Sequence, residues 1–239
     1  MKNSKKDRIF QKEINKKFSF DKEVASVFDD MIERSIPYYR DNIELISNLL
    51  SIRKNCNDIC DIGCSTGNLL VYLAKMKEFK NKRLFGIDNS SYMLDLARCK
   101  AKAYGLDIEF IESDILDFEF RFDAVILNYI LQFIRPPKRE SLLKNIFDSL
   151  NSNAILVLSE KLVCENKYLD KKLIDVYHNF KQKQGYSNTE ISKKREALEN
   201  ILIPYTQDEN IALLKQAGFK YVEVVFRWAN FATFIAIKE

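Results

Sequence analysis

Between Asn57 and Leu158 five short apolar runs alternate with stretches of helical periodicity, and this alternation limits the possible folds more than any other feature of the chain. The runs are Asn57–Ile62, Arg83–Ile87, Ile108–Glu112, Phe122–Leu127 and Ala154–Leu158. Asn68–Lys77, Ser90–Ala103 and Pro136–Leu150 carry apolar residues three and four apart, the spacing of one helical face. Strands that are apolar throughout belong in a sheet covered on both faces, and their repetition with helices makes that sheet mostly parallel. The expected class is therefore α/β, with a Rossmann-like sheet.

The flanks add three parts. Residues 20–55 read as a helical cap of two helices, broken at Ser35-Ile36-Pro37 because the residue before proline avoids the α region. Residues 160–205 read as a charged helical insertion, longer than one crossover needs, with a capping box at Ser187–Glu190 opening a helix through Asn200. A second capping box at Thr206–Glu209 opens a helix to Ala217, which stops at Gly218. Phe219–Phe226 and Phe231–Ile237 follow as two β-rich runs, adjacent enough to pair as an antiparallel hairpin. The expectation is one domain over residues 1–239, with residues 1–19 a basic, frayed tail.

Charge separates that tail from the body. The formal net charge is +4, but residues 1–20 hold seven lysines and arginines against two acids, so the rest of the chain is close to neutral. That argues against a large basic nucleic-acid face and against stable direct nucleic-acid binding. The longest uncharged run, Ile62 to Ala74, is thirteen residues, short of the roughly 18–20 apolar residues of a membrane span. No apolar stretch follows the basic N-terminus, so no secretory signal is expected, and five cysteines read as reduced thiols in a cytoplasmic protein. Cys56, Cys60 and Cys64 fall across a strand and a turn, which favours buried thiols over a metal site; no metal is expected. The single histidine, His178, excludes multi-histidine metal centres. It is either a proton carrier or a helix residue satisfied by a neighbouring carboxylate.

The first strand runs into Asp61-Ile-Gly63-Cys64-Ser65-Thr-Gly67 and a helix follows. Glycines there permit a tight turn and a close backbone approach, and the helix start offers free amides to an anion. Asp88 ends the second strand, 21 residues after Gly67, where a carboxylate can accept both hydroxyls of a ribose; capping the next helix is the alternative. Asp114 ends the third strand, where it is either a partner for the adenine amine or a solvated turn residue. Asn128 ends the fourth, beside the point where the order of a doubly wound sheet reverses. The turn is not the dinucleotide G-x-G-x-x-G, and it resembles the S-adenosylmethionine (SAM) turn of class I methyltransferases.

Longer strings sharpen this. Phe28–Tyr39, Asp88-Asn89-Ser90, Asn128–Phe133, Leu158-Ser-Glu-Lys161, His178-Asn-Phe-Lys181, Gly185-Tyr-Ser187, Glu190–Arg195 and Leu198-Glu-Asn200 together resemble the carboxy-S-adenosyl-L-methionine synthases, from about residue 19 onward. The resemblance implies a class I fold with a seven-stranded, mostly parallel sheet. It implies conversion of SAM to carboxy-SAM with prephenate as CO2 donor and release of phenylpyruvate. The product would feed 5-oxyacetyluridine formation at the tRNA wobble position by a separate enzyme, and members are homodimers. Contacts to SAM carry over to Tyr39, Gly63, Cys64, Ser65, Asp88, Asn89, Asp114, Ile115 and Asn128. Arg195 matches the arginine that reaches the new carboxylate from the neighbouring subunit; by itself it reads as a solvated helix residue beside Lys193 and Lys194.

The chemistry is compatible. Carboxylating a sulfonium methyl needs a carbanion equivalent beside positive sulfur, and nothing in the chain resembles a strong general base. The family's solution is that prephenate supplies both CO2 and the base as it aromatises, leaving the protein to position two ligands, exclude water and hold an anion. A guanidinium suits that last task because it binds carboxylate in a fork and stays charged. Two other readings stay open on residues alone, an ordinary SAM-dependent methyltransferase acting on a small molecule or tRNA, and a non-catalytic SAM-binding module. Tyr38 stands where relatives often carry glycine, and Asn151-Ser-Asn153 replaces a glycine-rich turn.

Overall fold

The computed structural model describes residues 5–11, 18–53, 56–114 and 121–239. Two helices come first, α1 (Lys22–Ser35) and α2 (Tyr39–Ser51), followed by β1 (Asp58–Ile62), α3 (Asn68–Lys75), β2 (Arg83–Asp88), α4 (Ser91–Ala103) and β3 (Glu109–Glu112). Then come β4 (Phe122–Asn128), α5 (Pro136–Ser149), β5 (Leu150–Lys161), α6 (Lys167–Lys183), α7 (Asn188–Leu198), α8 (Gln207–Ala217), β6 (Tyr221–Trp228) and β7 (Phe231–Ile237). One seven-stranded sheet results, in the order β3-β2-β1-β4-β5-β7-β6. Its pairings are parallel except those of β7, which runs antiparallel to β5 and β6. Chain order reverses between β1 and β4, so the carboxyl ends of β1, β2 and β4 open onto one crevice.

Alternate residues of the central strands feed two cores. Cys60, Ile62, Val125, Leu127, Leu156 and Leu158 pack with α5 and α8 on one face. Ile59, Ala124, Ile126, Ile155 and Val157 pack with α2 and α3 on the other. Each large aliphatic side chain here is worth about 2–5 kcal/mol against alanine.

Several expected boundaries move. β5 spans Leu150–Lys161 rather than residues 154–158, because Leu150 already pairs with Phe122, a register shift separating that pair from Ala124 and Ile155. The insertion contains helices only at Lys167–Lys183 and Asn188–Leu198, the latter stopping before Asn200, whose φ of +60° is left-handed. The capping boxes at Ser187 and Thr206 are both formed. The insertion leaves and rejoins the body at one place, where Leu162 and Tyr205 form an isolated parallel bridge and the Val163 amide donates to the Tyr205 carbonyl at 3.1 Å. Tyr38 adopts φ +55°, a conformation glycine takes without steric cost, and its ring packs near Phe226 and Trp228 at 6.4 and 6.1 Å. Asn153 adopts φ +61°, as asparagine tolerates.

The frayed basic tail is corrected for residues 7–11. Asp7 and Phe10 are each 1 % exposed. Phe10 joins Val24, Phe28, Met31 and Met93 in a third core, beneath α1 and α4. The Asp7 carboxylate accepts from the Tyr186 hydroxyl at 2.5 Å, the Asp7 carbonyl accepts from Arg34, and the Arg34 guanidinium lies 4.0 Å over the Tyr186 ring. This segment therefore clasps α1 to the turn before α7. Residues 1–4 and 12–17 lie outside the described residues.

If that clasp holds, Tyr186→Phe removes a buried hydrogen bond to a carboxylate and lowers stability by about 1.5–3 kcal/mol. The urea midpoint should fall with unchanged m-value. An unmoved midpoint would show that residues 7–11 are not docked in solution.

Candidate functional site

The turn after β1 is pinned to the end of β2. The amides of Gly63 and Cys64 both donate to the Ile87 carbonyl, at 2.7 and 3.0 Å, and the Ser65 amide donates to the Asp88 carboxylate at 2.9 Å. Gly63 and Gly67 have φ of +72° and +71°, and a Cβ on Gly63 would come within 2.3 Å of the Ile130 side chain. Only glycine fits at position 63 without moving Ile130 out of the crevice wall.

Tyr39, Asp61, Gly63, Cys64, Ser65 and Asn128 line one small cavity at the strand ends. Asp61 is 3 % exposed, and one of its carboxylate oxygens has no hydrogen-bond partner among the described residues; the side-chain carbonyl of Asn128 is in the same state. Burial, helped by the Asp88 charge, lifts the Asp61 carboxyl to about 8. Burial likewise raises Tyr39 and Cys64, keeping both neutral. Two buried, under-bonded acceptors facing one cavity suit a ligand that brings cationic N–H groups, as the amino acid end of SAM does. Asp88 is half-buried, raised by burial and held down by the Ser90, Ser65 and Asn89 amides. Ser90, not Asp88, caps α4, and the Asp88 carboxylate accepts the Ser65 and Ser90 amides, both at 2.9 Å.

The other expected contacts sit further out. Asn89 and Asp114 are exposed, and Ile115 lies outside the described residues. Cys64 contributes its backbone, its thiol being buried. Cys56 and Cys60 are also buried, and all five cysteines are free thiols.

A second cavity, of about 390 Å³, adjoins the first and shares Phe28, Ile32, Ser65 and Asn128 with it. One wall is apolar, formed by Phe18, Phe20, Phe28 and Phe133, with Phe20 edge-on to Phe133 at 5.5 Å. The same cavity is lined by Lys161, His178, Lys181, Lys194 and Arg195. Arg195, on α7, is exposed at the rim of its own chain's cavity, whereas the resemblance places the matching arginine in a neighbouring subunit's site. Burial and the neighbouring Lys181, Lys161 and Arg195 charges lower His178. The Asp175 carboxylate pulls the other way without offsetting them, so the imidazole is neutral at neutral pH.

Sequence reasoning missed the supports of this cavity. Arg139 is 1 % exposed and donates to the carbonyls of Ile134, Gln132 and Ile203, tying the turn after β4 to the end of the insertion. Glu160, at the end of β5, is lifted to about 8 by burial, against the pull of Arg139 and of the Leu131, Gln132 and Ile130 amides. Asp29 of α1 accepts from Thr66, Asn68 and Lys100 at 2.6, 3.0 and 2.8 Å, fastening α1 across the SAM-type turn. Lys161 and Lys181 stand in strings that the sequence marks, but nothing there distinguishes them from surface lysines.

Comparison with known proteins decides the family. A methyltransferase-domain family model matches residues 59–153. Curated relatives named carboxy-S-adenosyl-L-methionine synthase match almost end to end. The one from Campylobacter jejuni serotype O:23/36 is 53% identical over 98% of this chain and 100% of its own. The one from Nautilia profundicola is 54% identical over 97% and 99%. The chain belongs to the carboxy-S-adenosyl-L-methionine synthase family. It is accordingly a transferase. Solved structures of lower identity share the class I SAM-dependent methyltransferase fold. They include a putative O-methyltransferase from Nostoc punctiforme (TM-score 0.66, 17% identity, 91% of this chain and 59% of that one). The magnesium protoporphyrin IX methyltransferase of Synechocystis with bound SAH is another (0.62, 16%, 87% of each). Among the described residues no helix of this synthase-family chain is long and apolar enough to cross a membrane.

Two predictions follow from this geometry. Asp88→Asn should weaken SAM binding by about tenfold to a hundredfold in calorimetry, and because the same carboxylate accepts the Ser65 amide that pins the turn, Tm should fall as well. The second concerns pH. Burial raises Asp61 and Glu160 in the folded state, so the folded protein holds protons that the unfolded chain has released between about pH 4 and pH 8. Their contribution to stability is full below that window and lost as pH rises through it. Between pH 5 and pH 8, Tm should fall more in the parent protein than in Glu160→Gln.

Proposed function

We propose that the protein converts SAM to carboxy-SAM, taking the carboxyl group from prephenate and releasing phenylpyruvate, and that it works as a cytoplasmic homodimer. One observation carries this reading. The SAM-type cavity and the larger cavity meet at Ser65 and Asn128, so a sulfonium seated against the turn faces a space with one aromatic wall and one cationic wall. An ordinary methyl acceptor needs no such cationic wall. A cyclic dianion does, with its ring against Phe20 and Phe133 and its carboxylates toward α6 and α7.

The chemistry then asks little of the protein as acid or base. As prephenate aromatises, its ring carboxyl leaves as CO2, the bonding pair enters the ring and the ring hydroxyl departs as hydroxide. Hydroxide takes a proton from the sulfonium methyl and becomes water, and the resulting carbon lone pair attacks CO2 to form the new carboxylate. Charge and atoms balance without a protein base, which accords with a site whose one histidine is held neutral. The enclosing α1 and α7 serve to keep CO2 and the ylide from water. Arg195 holds the new carboxylate. Use of the product by a separate enzyme for wobble-uridine modification of tRNA rests on the family resemblance.

Mass spectrometry after incubation with SAM, with and without prephenate, tests the reaction. The expected product is heavier than SAM by one CO2, depends on prephenate and appears with phenylpyruvate. S-adenosylhomocysteine in its place would mark a methyltransferase. Arg195→Ala should weaken retention of carboxy-SAM by about tenfold or more while leaving SAM affinity within about twofold. Mixing Arg195→Ala with Asp88→Asn chains locates the guanidinium. Activity regained on mixing means that Arg195 serves the partner's site, and no recovery means that it serves its own.

A further inference from the structure

The wall formed by α6 and the end of β5 holds more positive charge than the product carboxylate needs. Lys181 is 5 % exposed and lines the larger cavity, yet its ammonium makes no hydrogen bond or ion pair with any described residue. It lies 4.5 Å from the centre of the Tyr177 ring, and Lys161 lies 5.3 Å from the same ring. Lys161 likewise faces the cavity without an ion pair among the described residues. The charges acting on Lys181 are Lys194, Lys161 and Arg195, all of its own sign. Asp170 acts on Lys161 from a distance, its carboxylate accepting from the Cys164 amide. Glu196 and Glu199 also line this cavity, but both are exposed at the rim.

Lys194 is different. Its ammonium donates to the Ser35 hydroxyl at 2.6 Å and faces Phe10 and Tyr186, so it belongs to the clasp. Burying the Lys181 ammonium without an ion pair, under the like charge of Lys161, is costly, and a ligand carboxylate would compensate it. Burial and the like charges press Lys181 down to about 7.

We infer that Lys161 and Lys181 form a dicarboxylate anchor for the second substrate, both close to the Tyr177 ring and separate from Arg195, which holds the product. The inference rests on the proposed function for the identity of that substrate, a cyclic dianion. The cavity that would hold this anion is lined also by Phe20 and Phe133 and by Ser65 of the SAM-type turn.

The test uses the full-length protein carrying Lys181→Met, Lys161→Met and the conservative Lys181→Arg. Each methionine variant should raise KM for prephenate by about tenfold or more, change kcat less, and leave the Kd for SAM within about twofold. Lys181→Arg should recover most of the loss. Because methionine relieves an uncompensated buried charge, Tm of Lys181→Met should equal or exceed that of the parent, a result that also shows it folds. An unchanged KM in both variants would overturn the inference, and so would a parallel loss of SAM affinity. Weakened carboxy-SAM retention with an unchanged prephenate KM would overturn it as well.

Calorimetry with trans-1,4-cyclohexanedicarboxylate, an unreactive dianion of similar size, separates this inference from the reaction. If the parent turns over no prephenate yet binds the dianion, and the variants do not, the anchor stands and the proposed reaction falls. A parent that does not bind it, or variants that bind it equally well, would overturn the anchor.

Discussion

Two amide hydrogens, those of Gly63 and Cys64, converge on the single carbonyl of Ile87, and the site is built outward from that grip. It fixes the end of β1 against the end of β2 at the point where chain order reverses. The left-handed backbone at Gly63, Ser65 and Gly67 then turns the chain back into α3, presenting the Ser65 amide to Asp88. Were the turn to swing away, Asp61 and Asn128 would no longer share a cavity. Asp29 would also lose the Thr66 and Asn68 donors that hold α1 across it.

The site is polarised by origin. Acceptors come from the strand ends, as Asp61, Asp88 and Asn128, and cations come from the insertion and the strand before it, as Lys161, Lys181 and Arg195. A cationic ligand and an anionic one are thus drawn to adjoining places, and the low-dielectric space between them strengthens both attractions. Burial is the largest cause in both sets, and acids rise and bases fall in the same crevice.

Much of this was legible because strands buried on both faces must be apolar throughout, and Phe122–Leu127 and Ala154–Leu158 could hardly be read otherwise. The capping boxes at Ser187 and Thr206 carry their own local logic and formed where expected. The first half of β5 was not legible, because it is tied in by the Leu150–Phe122 pair beyond a register shift and by the Asn151 side chain on Asp123, which alternation of apolar residues does not report. Asp7 and Phe10 were hidden in a run of lysines, since their burial depends on Tyr186, 179 residues further on. Lys161 and Lys181 were hidden for the same reason in reverse. Charged residues on amphipathic helices face water by default, and only the tertiary placement of α6 over the crevice turns one of them inward.

The bridge between Leu162 and Tyr205 has a bearing on how such an enzyme could arise. The segment between these residues starts and ends at a single spot on the body, so its insertion or exchange leaves the two flanking ends where they already are and closes no new long loop. The body, with its nucleoside-type crevice, is of a kind shared with proteins of very different sequence. The part that brings Lys181 and Arg195 to the larger cavity is a cassette hung from one point of the body. New reactivity toward a shared cofactor-like substrate could then be acquired by rewriting this cassette while the sheet, the glycine turn and both cores stay as they were.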